Sequence, residues 1–245
     1  MSLQLHQFAF SHFNEKARWA LSFKQLDHER IDYLPGPHMR AIKQISGQTQ
    51  TPVLQSGAHY IPGSADIIDY LEQTYPEPAL YPQDPAAREA ALQLQQHWDT
   101  EVGPAVRSVV FSSLVNNGNY LVSMFASSKG RLKQLAYRAT LPLARPLIAK
   151  GNGVDDPANV RRCFVATQEA LDDVVSATAG TGYMVGDSFS VADLTVAALL
   201  APIADVAHPD MCRPKPMPAD FAAIIGQFSD HPGVAWVNSI YARHR

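Results

Sequence analysis

The pattern of apolar residues changes near residue 80 of this 245-residue chain. Before that point, runs with strand-like alternation are interleaved with runs whose apolar residues recur every three or four positions, as in helices. Beyond residue 87 the helical spacing prevails. Between the two parts, "PEPALYPQDPAA" carries four prolines and is too broken for regular structure. The pattern therefore predicts two domains, residues 1–80 and residues 87–245.

The first domain shows alternating strand and helix patterns. A strand-like run at residues 3–8 leads into a helix on which Phe13 and Leu21 share one face. The alternating run "HERIDYL", a connection rich in Pro and Gly, and a short helix through Ile42 and Ile45 follow. Two short strands around a Ser-Gly turn and the helix "SADIIDYLEQTY" complete the unit. This order predicts an α/β fold.

The second domain reads almost entirely as helix. Residues 91–109 form a long amphipathic pattern, which the Gly-Pro pair at 103–104 should bend because proline removes a backbone donor. A second helical stretch at 131–149 is expected to break at Pro142 and Pro146.

Two further helices carry recognisable start signals. Asp156 and Pro157 are a plausible cap and first-turn pair. Ser190 and Asp193 have the spacing of a reciprocal capping box, with Asp in place of Glu. Pro202 is expected to kink or end the helix that this box begins.

Composition excludes several classes of protein. The chain is 46% hydrophobic, has a net charge of −3 and lacks a dense Lys/Arg run, so we expect a globular protein that binds no nucleic acid. Cys163 and Cys212 are far apart and lack metal-ligand spacing, which favours a reducing compartment and no metal. Neither an export signal nor a membrane span is apparent. We therefore expect a cytoplasmic protein with no membrane partner.

Four stretches follow one another in this order: "SHFNEKARWAL", "TPVL", "SADIIDYLE" and "SVADLTVA". Together they resemble the cytosolic glutathione transferase family over nearly the whole chain. The resemblance implies a thioredoxin-like first domain that binds glutathione, the co-substrate, and an all-helical second domain that supplies most of the pocket for a small hydrophobic electrophile. It also implies a homodimer.

Within this resemblance Ser11 stands where serine-type members place the hydroxyl that contacts the glutathione sulfur. A free thiol with a pKa near 8.5 is only about 3% thiolate at pH 7, and the thiolate is the nucleophile. A hydroxyl hydrogen bond of roughly 1.5 to 3 kcal/mol, with about 0.5 to 1 kcal/mol from the following helix N-terminus, would lower that pKa without a metal. The alternative is that Ser11 only caps the helix. His12 is expected to be exposed and idle.

The resemblance also assigns the residues that hold the tripeptide. Pro52 resembles a cis-proline that turns the backbone of the preceding residue, Thr51, towards glutathione, and Gln50 aligns with a position that often touches the glycyl end. The alternatives are an ordinary trans proline at a strand start and a solvated loop glutamine. Ser64 opens a helix that would seat the γ-glutamyl carboxylate. Family members usually carry an acid before this serine, whereas this chain has Gly63. Asp66 is not expected to replace that acid.

The electrophile pocket is expected on the bent helix after the linker, with Arg107, Phe111 and Leu114 facing Phe10 or Phe13. An aromatic residue at helical spacing is more often part of the core. Lys16 and Arg18 are expected to be solvated or to pack, without a catalytic role.

The predicted function is therefore conjugation of the glutathione thiolate to a small hydrophobic electrophile, with reduction of peroxides as a further activity. Thiol exchange is disfavoured because no cysteine stands at position 11 or 13. Two alternatives remain open: a catalytically silent binding protein of the same fold, which Gly63 favours, and isomerisation or dehalogenation with glutathione as cofactor.

Overall fold

A mixed four-stranded sheet forms the centre of the first domain in the computed structural model, which describes residues 2–245. The strand order is β2-β1-β3-β4; β1 is parallel to β2 and antiparallel to β3, and β3 is antiparallel to β4. The strands are β1 (Leu3–Gln7), β2 (His28–Asp32), β3 (Val53–Ser56) and β4 (His59–Pro62).

Three helices complete this unit: α1 (His12–Phe23), α2 (His38–Ser46) and α3 (Ser64–Thr74). Because parallel strands cannot be joined by a tight turn, α1 makes the crossover between β1 and β2. Ser11 is the last residue before this helix, so it lies beyond the carboxyl end of the central strand β1. The predicted thioredoxin-like fold with an all-helical second part is confirmed.

The rest of the chain is helical. A π-helical segment, Trp98–Val102, separates α4 from α5. The helices are α4 (Pro85–His97), α5 (Gly103–Leu114), α6 (Gly118–Ala126), α7 (Arg131–Gly151), α8 (Pro157–Thr178), α9 (Val191–Ala204), α10 (Ala219–Gly226) and α11 (Pro232–His244). Between residues 2 and 245, none of the helices is long and apolar enough to cross a membrane.

The proline-rich connection is more ordered than its composition predicts. Helix α4 begins at Pro85, because the Asp84 side chain accepts a 2.8 Å hydrogen bond from the Ala87 amide and caps the first turn. Leu80 and Tyr81 are buried in the core. The expectation that residues 76–87 lack regular structure is therefore wrong for its last three residues.

The bend predicted at the Gly-Pro pair falls at the junction between the π-helical segment and α5. A Cβ atom on Gly103 would lie 2.8 Å from Cζ of Phe13 and 3.1 Å from the carbonyl oxygen of Trp98. Only glycine allows α1 and α5 to approach so closely. This contact fixes the start of α5 against the helix that follows Ser11.

Helix α7 runs unbroken through Pro142 and Pro146, so the predicted break is wrong. Both prolines are exposed. The backbone carbonyls that lose their partners to these prolines are therefore free to be hydrated, and the helix continues.

The capping signals of the later helices are confirmed. Asp156 accepts a 2.8 Å hydrogen bond from the Ala158 amide. Ser190 and Asp193 form the predicted reciprocal box at the start of α9. This helix is buried along almost its whole length and contacts both α1 and α11. It continues past Pro202 to Ala204.

Candidate active site

Ser11 lies in the short connection between β1 and α1, with extended backbone angles of φ −158° and ψ 128°. Within residues 2–245, its side chain makes no capping hydrogen bond to the first turn of α1. Ser190, by contrast, accepts a 3.2 Å hydrogen bond from the Ala192 amide. The helix-cap explanation for Ser11 is therefore not supported, and its hydroxyl lines a cavity instead.

Two hydrogen bonds connect the loops around this corner. The Asn14 side chain, fully buried on α1, donates to Oγ1 of Thr51 at 3.2 Å. The Gly63 amide donates to the Pro52 carbonyl at 3.0 Å, and the Thr51–Pro52 peptide bond is cis. These contacts bring the start of α1, the entry of β3 and the start of α3 together. Sequence analysis missed Asn14, which no local pattern singles out because its neighbours Glu15 and Lys16 are also polar.

The N-terminus of α3 has the properties of an anion seat. Gly63 precedes the helix with φ 94° and ψ 142°, a conformation that favours glycine and would strain an acidic residue. Since Gly63 has no side chain, no cap from residues 2–245 covers the first-turn amides of α3. Ser64 is buried at this point.

An acidic group is nevertheless close to Gly63. A Cβ atom on Gly63 would lie 3.7 Å from Oδ2 of Asp66. The carboxylate of Asp66 thus turns back over the start of α3, near the position where sequence analysis expected an acid in relatives. Gln50 is exposed, and its backbone carbonyl accepts a hydrogen bond from Gln48 at 3.5 Å.

A narrow, open-sided cavity of about 50 Å³ lies beside Ser11. It contains four of the five residues predicted for the electrophile pocket: Phe10, Arg107, Phe111 and Leu114. Phe13 is not in the lining within the described part of the chain. Its position on α1 turns the ring towards Gly103, where it packs between the two helices, so the prediction for Phe13 is wrong.

Segments that sequence analysis left unassigned supply much of the remaining wall. The ring of Phe125 meets that of Phe10 edge-on, with centroids 6.4 Å apart. These additional lining residues are His12, Val110, Met124, Phe125, Pro202, Met211, Arg213 and Phe221. No local sequence pattern indicates them, because α6, α10 and the loop before α10 reach the cavity only through tertiary packing.

His12 is buried, contrary to the expectation that it is exposed, with 5% of its surface accessible. Burial, with a smaller contribution from the Arg107 charge, lowers the pKa of His12 to about 3, while a hydrogen bond with the Gly103 backbone acts in the opposite direction. Its Nε2 atom has no hydrogen-bond partner in the described structure. The ring is therefore neutral at physiological pH and has an unused polar atom beside the cavity.

The two arginines of the cavity differ in their environment. Arg213 donates to Oδ1 of Asp205 and to the Pro202 carbonyl, both at 2.8 Å. Arg107 has a buried Nε atom without a partner among residues 2–245, and burial lowers its pKa. The cavity thus combines an apolar wall with one guanidinium whose charge is not compensated by a neighbouring side chain.

Comparison with known proteins agrees with this geometry. A family model described as "Glutathione S-transferase, N-terminal domain" matches residues 5–79. Glutathione S-transferase TCHQD of Arabidopsis thaliana is 24% identical over 212 residues, which cover 81% of this chain and 76% of that protein. The first part of this chain is thus similar to the N-terminal domain of glutathione S-transferases.

Two further similarities define the extent of the match. Maleylpyruvate isomerase of Ralstonia sp is 33% identical over 90 residues, but these cover only 36% of this chain and 42% of that protein. The crystal structure of the β-etherase LigF from Sphingobium sp. strain SYK-6 superposes with a TM-score of 0.70 at 20% identity, over 99% of this chain and 96% of that one. The latter likeness shows a shared fold over both parts of the chain.

Buried ion pairs support α1, the first helix of the chain. Nζ of Lys16 lies 2.6 Å from Oδ2 of Asp99 in the π-helical segment, and the Lys16 side chain is fully buried. Arg18 pairs with Glu15 at 2.8 Å, and Glu15 also pairs with Arg245 at 2.8 Å. The expectation of a non-catalytic role stands, but Lys16 and Arg18 are buried rather than solvated.

One group of side chains has the spacing of metal ligands. Ligand atoms of Glu15, His208 and Asp210 lie within 4.8 Å of one another. Asp210 forms ion pairs with Arg18, Arg30 and Arg245. Because these arginines already compensate the carboxylates, the group has the character of a structural ion-pair network.

Proposed function

We propose that this protein is a glutathione S-transferase that joins the sulfur of glutathione to a small hydrophobic electrophile, with residues 1–80 binding glutathione and residues 87–245 supplying most of the electrophile pocket. The observation that carries the proposal is the hydroxyl of Ser11. This side chain makes no capping hydrogen bond to α1 within residues 2–245, and Ser11 belongs to the lining of the cavity. We assign it the role of donating a hydrogen bond to the glutathione thiolate.

The magnitude of this effect is sufficient for the chemistry. Lowering a thiol pKa by about two units requires roughly 2.7 kcal/mol of preference for the anion. A hydrogen bond to an ionised group supplies roughly 1.5 to 3 kcal/mol. The N-terminus of α1 adds about 0.5 to 1 kcal/mol. The two together account for a thiolate that predominates at neutral pH.

The other glutathione contacts follow from the loops that converge on this corner. Thr51 and Pro52 would hold the cysteinyl part, and Gln50 the glycyl end. Gly63 and Ser64 would seat the γ-glutamyl carboxylate on the uncapped first turn of α3. Asp66, whose carboxylate lies beside Gly63, would pair with the ammonium group.

Three further properties belong to the same proposal. The thiolate would also reduce peroxides, since the chemistry needs the same activated sulfur. The protein would act in the cytoplasm, where its two cysteines stay reduced. It would work as a homodimer, because two-fold symmetric dimers are the commonest closed assemblies of identical chains.

The test combines binding and turnover. Calorimetry with glutathione should show heat and a thermal shift at millimolar concentration, and 1-chloro-2,4-dinitrobenzene should be conjugated faster than in buffer. Binding without turnover of any electrophile, or no binding at all, would favour a catalytically silent member of the family.

Isomerisation with glutathione as cofactor is a second candidate, because a relative at 33% identity is named maleylpyruvate isomerase. An activated thiolate beside an apolar cavity is compatible with reversible addition to a double bond. Incubation of the enzyme and glutathione with a cis alkene diacid, followed by nuclear magnetic resonance, distinguishes the two functions. Appearance of the trans isomer without a stable glutathione adduct would identify an isomerase.

A further inference from the structure

The cavity beside Ser11 has an unbalanced charge. Its walls are mostly apolar, and none of the lining residues in the described structure is acidic. Arg213 is already paired with Asp205. The guanidinium of Arg107 therefore stands as an unpaired cation in this wall, and its Nε atom is buried without a partner.

A second polar side chain, His12, belongs to the same wall. Only 5% of the surface of His12 is accessible, and its Nε2 atom also has no hydrogen-bond partner within residues 2–245. Buried polar atoms without partners are uncommon in proteins and each costs free energy unless a ligand or water satisfies it. Both atoms are shielded from solvent. The other two guanidinium nitrogens of Arg107 are not among the buried atoms without a partner, and they are the donors that a polar group of the ligand can reach.

We propose, on the basis of the transferase function above, that the second substrate carries a carboxylate, which pairs with Arg107. Its apolar body would lie against Phe10, Phe111 and Phe125. The fork of N–H donors on a guanidinium matches a carboxylate in two parallel hydrogen bonds.

The charge of the site selects a monoanion. Arg107 is the cation of the lining that no carboxylate of the described residues compensates. One positive charge in a partly buried setting balances one carboxylate, whereas a phosphate dianion would leave a negative charge without a partner. The structure therefore assigns an aromatic or aliphatic monocarboxylate rather than a phosphorylated compound.

The test uses two electrophiles that differ only in charge: 4-chloro-3-nitrobenzoate and 4-chloro-3-nitrobenzamide. Each enzymatic kcat/KM is divided by the uncatalysed rate with glutathione, which removes the difference in intrinsic reactivity. The wild type should prefer the carboxylate at least tenfold, equivalent to about 1.4 kcal/mol. Arg107→Met should lose this preference, so that the two normalised kcat/KM values become equal, and Arg107→Lys should retain part of it.

Controls separate binding from folding. Arg161→Met removes an exposed arginine of α8 and should leave the preference unchanged. Arg107→Met should unfold at the wild-type temperature or above it, because the lost charge has no partner in the protein. An equal normalised kcat/KM for the two electrophiles in the wild type would overturn the carboxylate subsite while leaving the transferase function intact.

A direct binding measurement distinguishes failure of the subsite from failure of the proposed function. Calorimetry with the unreactive pair 4-methyl-3-nitrobenzoate and 4-methyl-3-nitrobenzamide requires no turnover. Tighter binding of the benzoate that disappears in Arg107→Met supports the subsite even where neither chloride is conjugated. Equal binding of the two compounds to the wild type refutes it.

Discussion

Replacing Ser11 by alanine separates the two roles that a serine before a helix can have. The hydroxyl makes no capping bond in residues 2–245, so its removal should change the free energy of unfolding by less than about 0.5 kcal/mol. A thiolate that loses a hydrogen bond of roughly 1.5 to 3 kcal/mol should lower kcat/KM about 10-fold to 150-fold. Denaturant unfolding and conjugation of 1-chloro-2,4-dinitrobenzene measure the two quantities.

Ser190→Ala is the matched control. Ser190 is buried, its Oγ lies 3.2 Å from the Ala192 amide, and it also bonds to Asp193. Its loss should cost about 0.5 to 2 kcal/mol of stability and leave kcat/KM of the folded enzyme unchanged. The reasoning is refuted if Ser11→Ala behaves like Ser190→Ala, losing stability while it retains activity.

Three other residues give independent predictions. The pKa of His12 is about 3 in the folded protein and 6.5 when the side chain is exposed. Between pH 6.5 and pH 3 the unfolded chain therefore binds a proton at His12 that the folded protein does not. Stability should therefore fall below pH 6.5 by up to about 1.4 kcal/mol per pH unit, and His12→Gln should flatten that slope in unfolding titrations; an unchanged slope contradicts the assignment. Lys16→Met should destabilise the protein by roughly 3 kcal/mol, because it leaves Asp99 partly buried without its partner; a wild-type unfolding midpoint would show that the pair is dispensable. Asp66→Asn should weaken glutathione binding about twofold to fivefold in calorimetry, and an unchanged dissociation constant would exclude contact with the ammonium group.

Local patterns were sufficient to predict the elements around the candidate site. The alternation in β1, the helical spacing of α1 and the capping box of α9 are each decided by residues a few positions apart. The resemblance added the role of Ser11 and placed Ser64 at the start of α3. Three predicted pocket residues, Arg107, Phe111 and Leu114, lie in the cavity because they recur at helical spacing on α5, and Phe10 stands next to Ser11.

The remaining features depend on contacts between distant segments. His12 is buried because Gly103 allows α5 to approach α1, and nothing next to His12 in the sequence encodes that approach. Phe13 turns away from the cavity for the same reason. The contributions of Met211 and Phe221 come from the C-terminal region, where sequence analysis assigned no helix. The prolines of α7 are tolerated because they are exposed, which their positions in the sequence do not reveal.

The central claim is that Ser11 makes the sulfur of bound glutathione easier to ionise. Titration of the thiolate absorbance in the enzyme–glutathione complex measures this directly, with Ser11→Ala as the comparison. We expect the wild-type complex to ionise about one to two pH units below the free thiol value near 8.5, and the variant to return towards that value. A wild-type complex that ionises at the same pH as free glutathione would contradict the account.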